Sequence, residues 1–295
     1  MLKVEALQQS VDLISTPVAA EVSTHATTKP AGSMAAQFET LLLSTEDNIT
    51  TICLNRPQKK NAISVMMYSE IIEALRLAGK DESIITVITG SGDYYCSGND
   101  LTNFVTTKVT RSRVEQTDEE FLSMFRDFVR AFIDFPKPLI AVVNGPAVGV
   151  AVTLLGLFDT VYATDRATFH TPFTKLGMFP EGCSSYTFPR MMGAAKASEM
   201  LLFGRKLSAA EAREQGLVTD VFPDSTFQAE VWRRLKAYAQ LPRNSLVLSK
   251  QLMRSHYREK LHAVNDRECE VVAGLQQSEE CMNAVVSFLQ SKSKL

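Results

Sequence analysis

Four runs of β-branched and apolar residues, separated by stretches whose apolar positions recur at helical spacing, restrict this chain to one kind of architecture. The runs cover residues 50–55, 84–89 and 139–144, with a shorter one at 160–163, each bounded by turn-forming residues. Between the first two, residues 64–78 put Met67, Ile71, Ala74, Leu75 and Ala78 on one helical face. Between the second and third, residues 119–135 do the same with Leu122, Phe125, Val129 and Phe132. Strand, helix, strand, helix, strand is the order of an α/β fold built from crossover units. Strand patterns then stop. Val231, Leu235 and Tyr238 share one face, and further helices are predicted over residues 243–265 and 279–290. The chain therefore divides into an N-terminal disordered segment or linker (1–36), a core (37–226) and a helical C-terminal portion (227–295).

Composition removes several function classes. With 31 basic against 33 acidic residues, a net charge of −2 and no like-charged block, nothing marks a nucleic-acid face. No apolar run reaches the roughly 18 residues of a membrane span, so no span is expected. Five scattered cysteines without a CxxC pair point to neither zinc nor a disulfide framework, and no metal or separate cofactor is expected. Cys183 has no neighbouring His to activate it and reads as a small buried hydrophobe. Residues 1–36 contain no Arg and no aromatic residue, and Glu5, Asp12 and Glu21 argue against a mitochondrial presequence. Residues 4–14 fit a short amphipathic helix, while Pro17, Pro30 and Gly32 mark a linker.

Three stretches carry chemistry. Ser97-Gly98-Asn99-Asp100-Leu101 follows a predicted strand, and Gly98 permits a backbone turn that aims the Asn99 amide into a cleft. Alone, Gly-Asn-Asp is also ordinary turn chemistry. The second is Asn144-Gly145-Pro146-Ala147-Val148-Gly149-Val150, in which a buried strand runs through Gly149 into an apolar helix over residues 150–157. Free N–H groups at a helix start suit an anion, though a plain strand-to-helix turn reads the same way. The third is Phe179-Pro180-Glu181-Gly182-Cys183, where an acid sits among Phe173, Leu176, Met178 and Phe179.

These motifs, with Leu54-Asn55-Arg56-Pro57 and Lys60-Asn61-Ala62-Ile63 upstream and Gly204-Arg205-Lys206-Leu207-Ser208 downstream, resemble the enoyl-CoA hydratase/isomerase (crotonase) superfamily in order and spacing. The resemblance runs from about Phe38 to the C-terminus. It implies an α/β crotonase-like spiral ββα core, a helical C-terminal trimerisation portion, and a homotrimer or dimer of trimers. It also implies an acyl-CoA thioester substrate, so that CoA belongs to the substrate. By the same resemblance the Asn99 and Val150 amides form an oxyanion hole. Lys60, Asn61, Ala62, Ile63, Ser97, Gly98, Asp100, Leu101, Gly149 and Phe173 line the substrate site.

Family members that hydrate use two glutamates. This chain has Thr153 at the first position and Phe173 after Pro172 at the second. Losing general acid–base help costs about 100- to 10,000-fold per group, which disfavours a hydratase. The Pro180-Glu181-Gly182 stretch is similar to that of the peroxisomal Δ3,Δ2-enoyl-CoA isomerases, in which the glutamate is the single base. That resemblance implies proton transfer from C2 to C4 through an enolate. Two alternatives stay open. Glu181 could instead be an acid placed to favour a helix start, with Pro180 in its first turn. The chain could be a non-catalytic acyl-CoA-binding or scaffold relative. Ser293-Lys294-Leu295 matches the tripeptide read by the peroxisomal import receptor, so the peroxisomal matrix is the expected location.

Overall fold

The computed structural model describes residues 38–100 and 118–275, with residues 279–281, 283, 284 and 287. The expectations for residues 1–36, for Leu101, for the full helix over 279–290 and for the terminal tripeptide lie outside the described residues.

The chain opens with a hairpin of β1 (Leu41–Glu46) and β2 (Ile49–Leu54), paired antiparallel through Leu41↔Leu54 and Glu46↔Ile49. Asp47 and Asn48 join them with φ of 51° and 62°, the left-handed pair that a two-residue turn needs to match strand twist. Strands β3 (Ile85–Gly90), β4 (Leu139–Val143), β6 (Thr160–Thr164) and β9 (Asp220–Phe222) add in parallel, giving the order β1-β2-β3-β4-β6-β9. A second, three-stranded sheet joins β5 (Ala147–Val148), β7 (Thr168–His170) and β8 (Leu207–Ser208).

The parallel strands are buried on both faces, so polar and apolar residues do not alternate along them. In β4, Leu139, Ala141 and Val143 face one core while Ile140 and Val142 face the other. The second face is closed by α7 (Phe227–Tyr238) through Phe227, Val231 and Leu235. The first is covered by α1 (Val65–Lys80) and α2 (Asp118–Ile133). The Ser64 hydroxyl caps α1 by accepting from Met67 N at 3.2 Å, a contact worth about 1 kcal/mol. Helix α1 buries Met67, Tyr68, Ile71, Ala74, Leu75 and Ala78, the face that its sequence spacing predicts. Tyr68 stands edge-on to Phe121, Phe125 and Phe128 of α2.

The remaining helices are α3 (Val150–Thr153), α4 (Ser184–Met192), α5 (Ala194–Leu201), α6 (Ala209–Glu214), α8 (Arg243–Ser255) and α9 (Arg258–Leu275). The single helix expected over residues 243–265 is two helices. Arg254, buried near the end of α8, donates to Leu157 O at 2.8 Å, and Lys250 Nζ donates to Lys137 O at 2.6 Å and Asp159 Oδ2 at 2.7 Å. These bonds hold α8 along the strand ends, whereas α9 packs on α2 through Arg130–Asp266 and Asn265 Nδ2 to Arg126 O. The chain turns at His256-Tyr257 to serve both. Among the described residues no helix is long and apolar enough to cross a membrane, and the five cysteines are free thiols.

Candidate active site

The site is assembled by three loops that cross at the ends of the parallel strands. The loop after β2 is tied down by Asn61, whose backbone is left-handed (φ 54°) and whose side chain has no exposure. Its Oδ1 accepts from Arg56 N at 2.9 Å, and its Nδ2 donates to Ser91 O at 2.9 Å and Tyr94 O at 2.8 Å. This corrects the expectation that Asn61 lines the substrate groove. Its amide is spent holding the loops after β2 and β3 together; neighbouring Lys60 is exposed and Ala62 partly so, whereas Ile63 is 2% exposed and belongs to the main core. The Lys60 ammonium stands 5.0 Å over the Tyr94 ring. Arg56 bridges the same two loops by donating to Ala62 O and pairing with Asp100 at 3.1 Å.

The loop after β3 then pairs with Ile63: Ile63 N donates to Gly98 O at 2.8 Å and Asp100 N to Ile63 O at 3.0 Å. In such a parallel bridge (Ile63↔Asn99) the central residue turns its own N–H and C=O away from the partner strand. The Asn99 amide is thereby directed away from the loop after β2. On the other side, Val148 N donates to Cys96 O at 3.0 Å, which lays the loop before α3 alongside. Gly98 has φ of 84°, and a Cβ there would lie 2.6 Å from Val148 O, so only glycine permits the approach. Gly149 is the N-cap of α3 with φ of 60°, and Val150, the first helical residue, has an N–H without an intrahelical acceptor. The α-helical part of the segment expected over residues 150–157 is four residues long and continues as a 3-10 turn, Leu154–Leu157. A macrodipole from one turn is small, so local amides rather than helix length shape the site.

The third loop carries Glu181. Gly182 and Cys183 are both left-handed, at φ of 66° and 64°, and Ser184 closes the turn by donating from N (3.2 Å) and Oγ (2.7 Å) to Glu181 O. A Cβ on Gly182 would lie 2.7 Å from Thr153 Oγ1, so this turn is seated directly on α3. Thr153 is fully buried and donates to Val150 O at 3.1 Å. The turn that carries Glu181 thus occupies the space over the position where hydrating relatives are expected to carry an acid. Phe173, at the second such position, is 4% exposed and belongs to the main core.

Glu181 keeps part of its surface open, yet protein surrounds it densely enough that burial, and then the nearby Glu268 charge, push its pKa up to about 8. The expectation that desolvation outweighs the following helix start holds. The helix-start alternative fails on geometry. The N-cap of α4 is Cys183, and the acid at that helix end is Glu268, reaching across from α9 to accept from Cys183 N at 2.7 Å and Ser185 N at 3.0 Å. Glu181 stands outside α4. Cys183 donates its buried thiol to Leu261 O at 3.4 Å, and burial pushes its pKa up, as befits an unreactive thiol.

Lys60, Ala62, Ile63, Ser97, Gly98, Asn99 and Asp100 therefore gather beside Gly149 and Val150, with the Glu181 turn seated on the same short helix. An apolar cavity of about 20 Å³ lies below, walled by Ile63, Cys96, Ala151, Leu154, Phe128 and Phe158. It holds little more than one water-sized group, so an acyl chain there would require its walls to move. Sequence reasoning missed two residues. One is Glu268, which lies 85 positions beyond Cys183 on a helix with no local peculiarity. The other is Tyr68, whose buried hydroxyl has no hydrogen-bond partner among the described residues and whose pKa is raised by burial and then by the Glu181 charge.

The sequence profile of the family described as Enoyl-CoA hydratase/isomerase matches residues 44–294. Human Enoyl-CoA delta isomerase 2 is 60% identical over 293 residues, covering 99% of this chain and 74% of that protein. Enoyl-CoA delta isomerase 3, peroxisomal, of Mus musculus is 51% identical over 292 residues, covering 99% and 91%. Among solved structures, the enoyl-CoA hydratase/isomerase of Pseudoalteromonas atlantica T6c superposes with a TM-score of 0.78 at 33% identity, over 86% of this chain and 98% of its own.

Proposed function

Because this chain belongs to the enoyl-CoA hydratase/isomerase family, we propose that it is an enoyl-CoA isomerase that converts 3-enoyl-CoA to trans-2-enoyl-CoA in the oxidation of unsaturated fatty acids. The reaction class follows the relatives at 51–60% identity that bear that activity in their names. Glu181 is the proton carrier in this reading. Its ionised carboxylate removes a proton from C2, and the resulting acid returns it to C4. Between the two transfers the thioester oxygen carries negative charge, which the Asn99 and Val150 amides meet. One such donor is worth about 3–4 kcal/mol in the transition state. A carboxyl with a pKa of about 8 suits both halves of the transfer, because base and acid forms stay close in free energy near neutral pH.

One observation carries the choice of isomerase over hydratase. The Glu181–Gly182 turn is packed on Thr153, and Thr153 and buried Phe173 occupy the two positions at which hydrating relatives are expected to carry acids. Incubating the protein with 3-hexenoyl-CoA should produce the conjugated 2-enoyl thioester, and Glu181→Gln should abolish that while acyl-CoA binding persists. Retained turnover in the variant would remove Glu181 from this role. A non-catalytic acyl-CoA-binding role is disfavoured by the presence of Glu181 itself, a carboxyl that stands outside α4 and does not cap it.

Two further parts of the proposal concern context. The mouse relative's name and Ser293-Lys294-Leu295 support the peroxisomal matrix, through the import receptor. A reporter bearing the terminal residues should enter peroxisomes, and one lacking Leu295 should not. Association into a homotrimer or dimer of trimers is supported by Leu248, Leu252 and Met253, which stand exposed on α8, and light scattering tests it.

A further inference from the structure

We propose that Glu268 is a positioning residue for the isomerisation: from α9 it clamps the turn that carries Glu181 and sets a second carboxylate charge behind the base. The inference rests on the reading of Glu181 as the proton carrier.

The clamp is visible in the bonds. One carboxylate oxygen of Glu268 accepts from Cys183 N at 2.7 Å, and the other accepts from Ser185 N at 3.0 Å and Ser185 Oγ at 2.5 Å. These donors follow Glu181 within four residues and lie on either side of Ser184, whose amide closes the turn. Two consecutive left-handed residues, one of them not glycine, form a turn that persists only when its surroundings over-determine it. The packing of Gly182 on Thr153 holds one side of that turn, and Glu268 holds the other. Moving a proton between two carbons of one substrate demands a base whose reach is fixed, since small misplacement is costly.

The charge is the second half of the argument. Glu268 is 6% exposed, and burial pushes its own pKa up to about 7 despite the three donors that favour its ionised form, so it carries its charge above neutral pH. Both carboxylate oxygens accept from backbone N–H groups, which a glutamine, with one acceptor oxygen and a donating NH2, reproduces on one side only; the clamp therefore brings a carboxylate, and with it a charge, behind Glu181. The groups facing this pair are known. Glu181 faces Tyr68 of α1 and Glu268 and Cys269 of α9. Glu268 faces Cys183 and Ser185, with Arg254 of α8 bearing on Cys183 and Arg126 and Asp266 on Cys269. The Glu268 charge raises the proton affinity of Glu181, which strengthens the base and moves the pH at which it becomes ionised upward.

The test is the pH dependence of kcat/KM in the full chain carrying Glu268→Gln, with Glu268→Asp and Glu181→Gln beside it. Glu268→Gln should fold and bind acyl-CoA, lose at least about tenfold in kcat with KM little changed, and shift the acid limb downward by on the order of one pH unit. Glu268→Asp keeps the charge and shortens the reach, so kcat should fall while the limb stays in place. A limb in Glu268→Gln that coincides with wild type overturns the proposal, because a merely structural clamp would lower rate and stability without moving it. If Glu268→Gln does not fold, Ser185→Ala removes one donor at an exposed position. Its kcat should then drop several-fold with the fold intact, and an unchanged kcat overturns the clamp. An active Glu181→Gln would sink the underlying assignment instead, so the two failures are distinguishable.

Discussion

Gly182→Ala tests most directly how this fold aims its base. The added Cβ would lie 2.7 Å from Thr153 Oγ1, whereas ordinary contact begins at 3.4 Å, so the turn must back away by about 0.7 Å. Thr153 cannot swing aside cheaply, because it is buried and its hydroxyl is bonded to Val150 O. A left-handed backbone (φ 66°) adds about 1–2 kcal/mol for any residue with a Cβ. Stability should therefore fall by at least that amount in urea unfolding. Turnover of 3-hexenoyl-CoA should fall further, about 10- to 100-fold, because a displacement approaching 1 Å degrades proton transfer steeply. Thr153→Ala alone should cost about 1 kcal/mol or less and little activity. Combined with Gly182→Ala it should recover about tenfold in turnover while leaving the backbone strain uncorrected. That recovery is the coupling a double-mutant cycle isolates. A Gly182→Ala enzyme as fast as wild type, or a double variant no faster than Gly182→Ala, would refute the idea that this contact sets the position of Glu181.

Other expectations are simpler to read out. Isomerase kcat/KM should rise with pH and level off above about 8, since only ionised Glu181 removes the C2 proton, and a profile flat from pH 6 to 9 would contradict this. The native state holds a proton on Glu181 that the unfolded chain releases near 4.5, so this residue costs stability progressively as pH rises from 4.5 to about 8. Glu181→Gln should accordingly resist urea better than wild type at pH 8.5, with the gap closing near pH 5. Tyr68→Phe deletes a buried hydroxyl that has no partner among the described residues, so it should leave stability unchanged or raise it by up to about 1 kcal/mol in the same unfolding assay. With 2-hexenoyl-CoA, the 3-hydroxyacyl product should form far more slowly than 3-hexenoyl-CoA is isomerised, and a ratio near one would favour a hydratase.

Much of the scaffold could be read without coordinates, because its elements are specified locally. The faces of α1 and α2 follow from apolar spacing, β3 and β4 from short β-branched runs, and the cap at Ser64 from residue type. The order of the glycine-bearing motifs marked where the loops of the site would lie. What escaped was whatever depends on partners distant in the chain. Strands β5, β7 and β8 are two or three residues long and exist only because they pair with one another. The break at His256-Tyr257 has no glycine or proline to announce it and arises from the separate anchoring of α8 and α9. Asn61 reads as a groove residue in sequence and becomes an internal tie in space. Sequence placed Glu181 after a proline and before a glycine, and from there either a helix-start acid or a base was a fair reading. Tertiary structure removed the first by putting Glu268, distant in sequence, at the start of α4. Charge and hydrogen bonding act through space over a few ångströms, whereas sequence patterns record only which residues are neighbours along the chain.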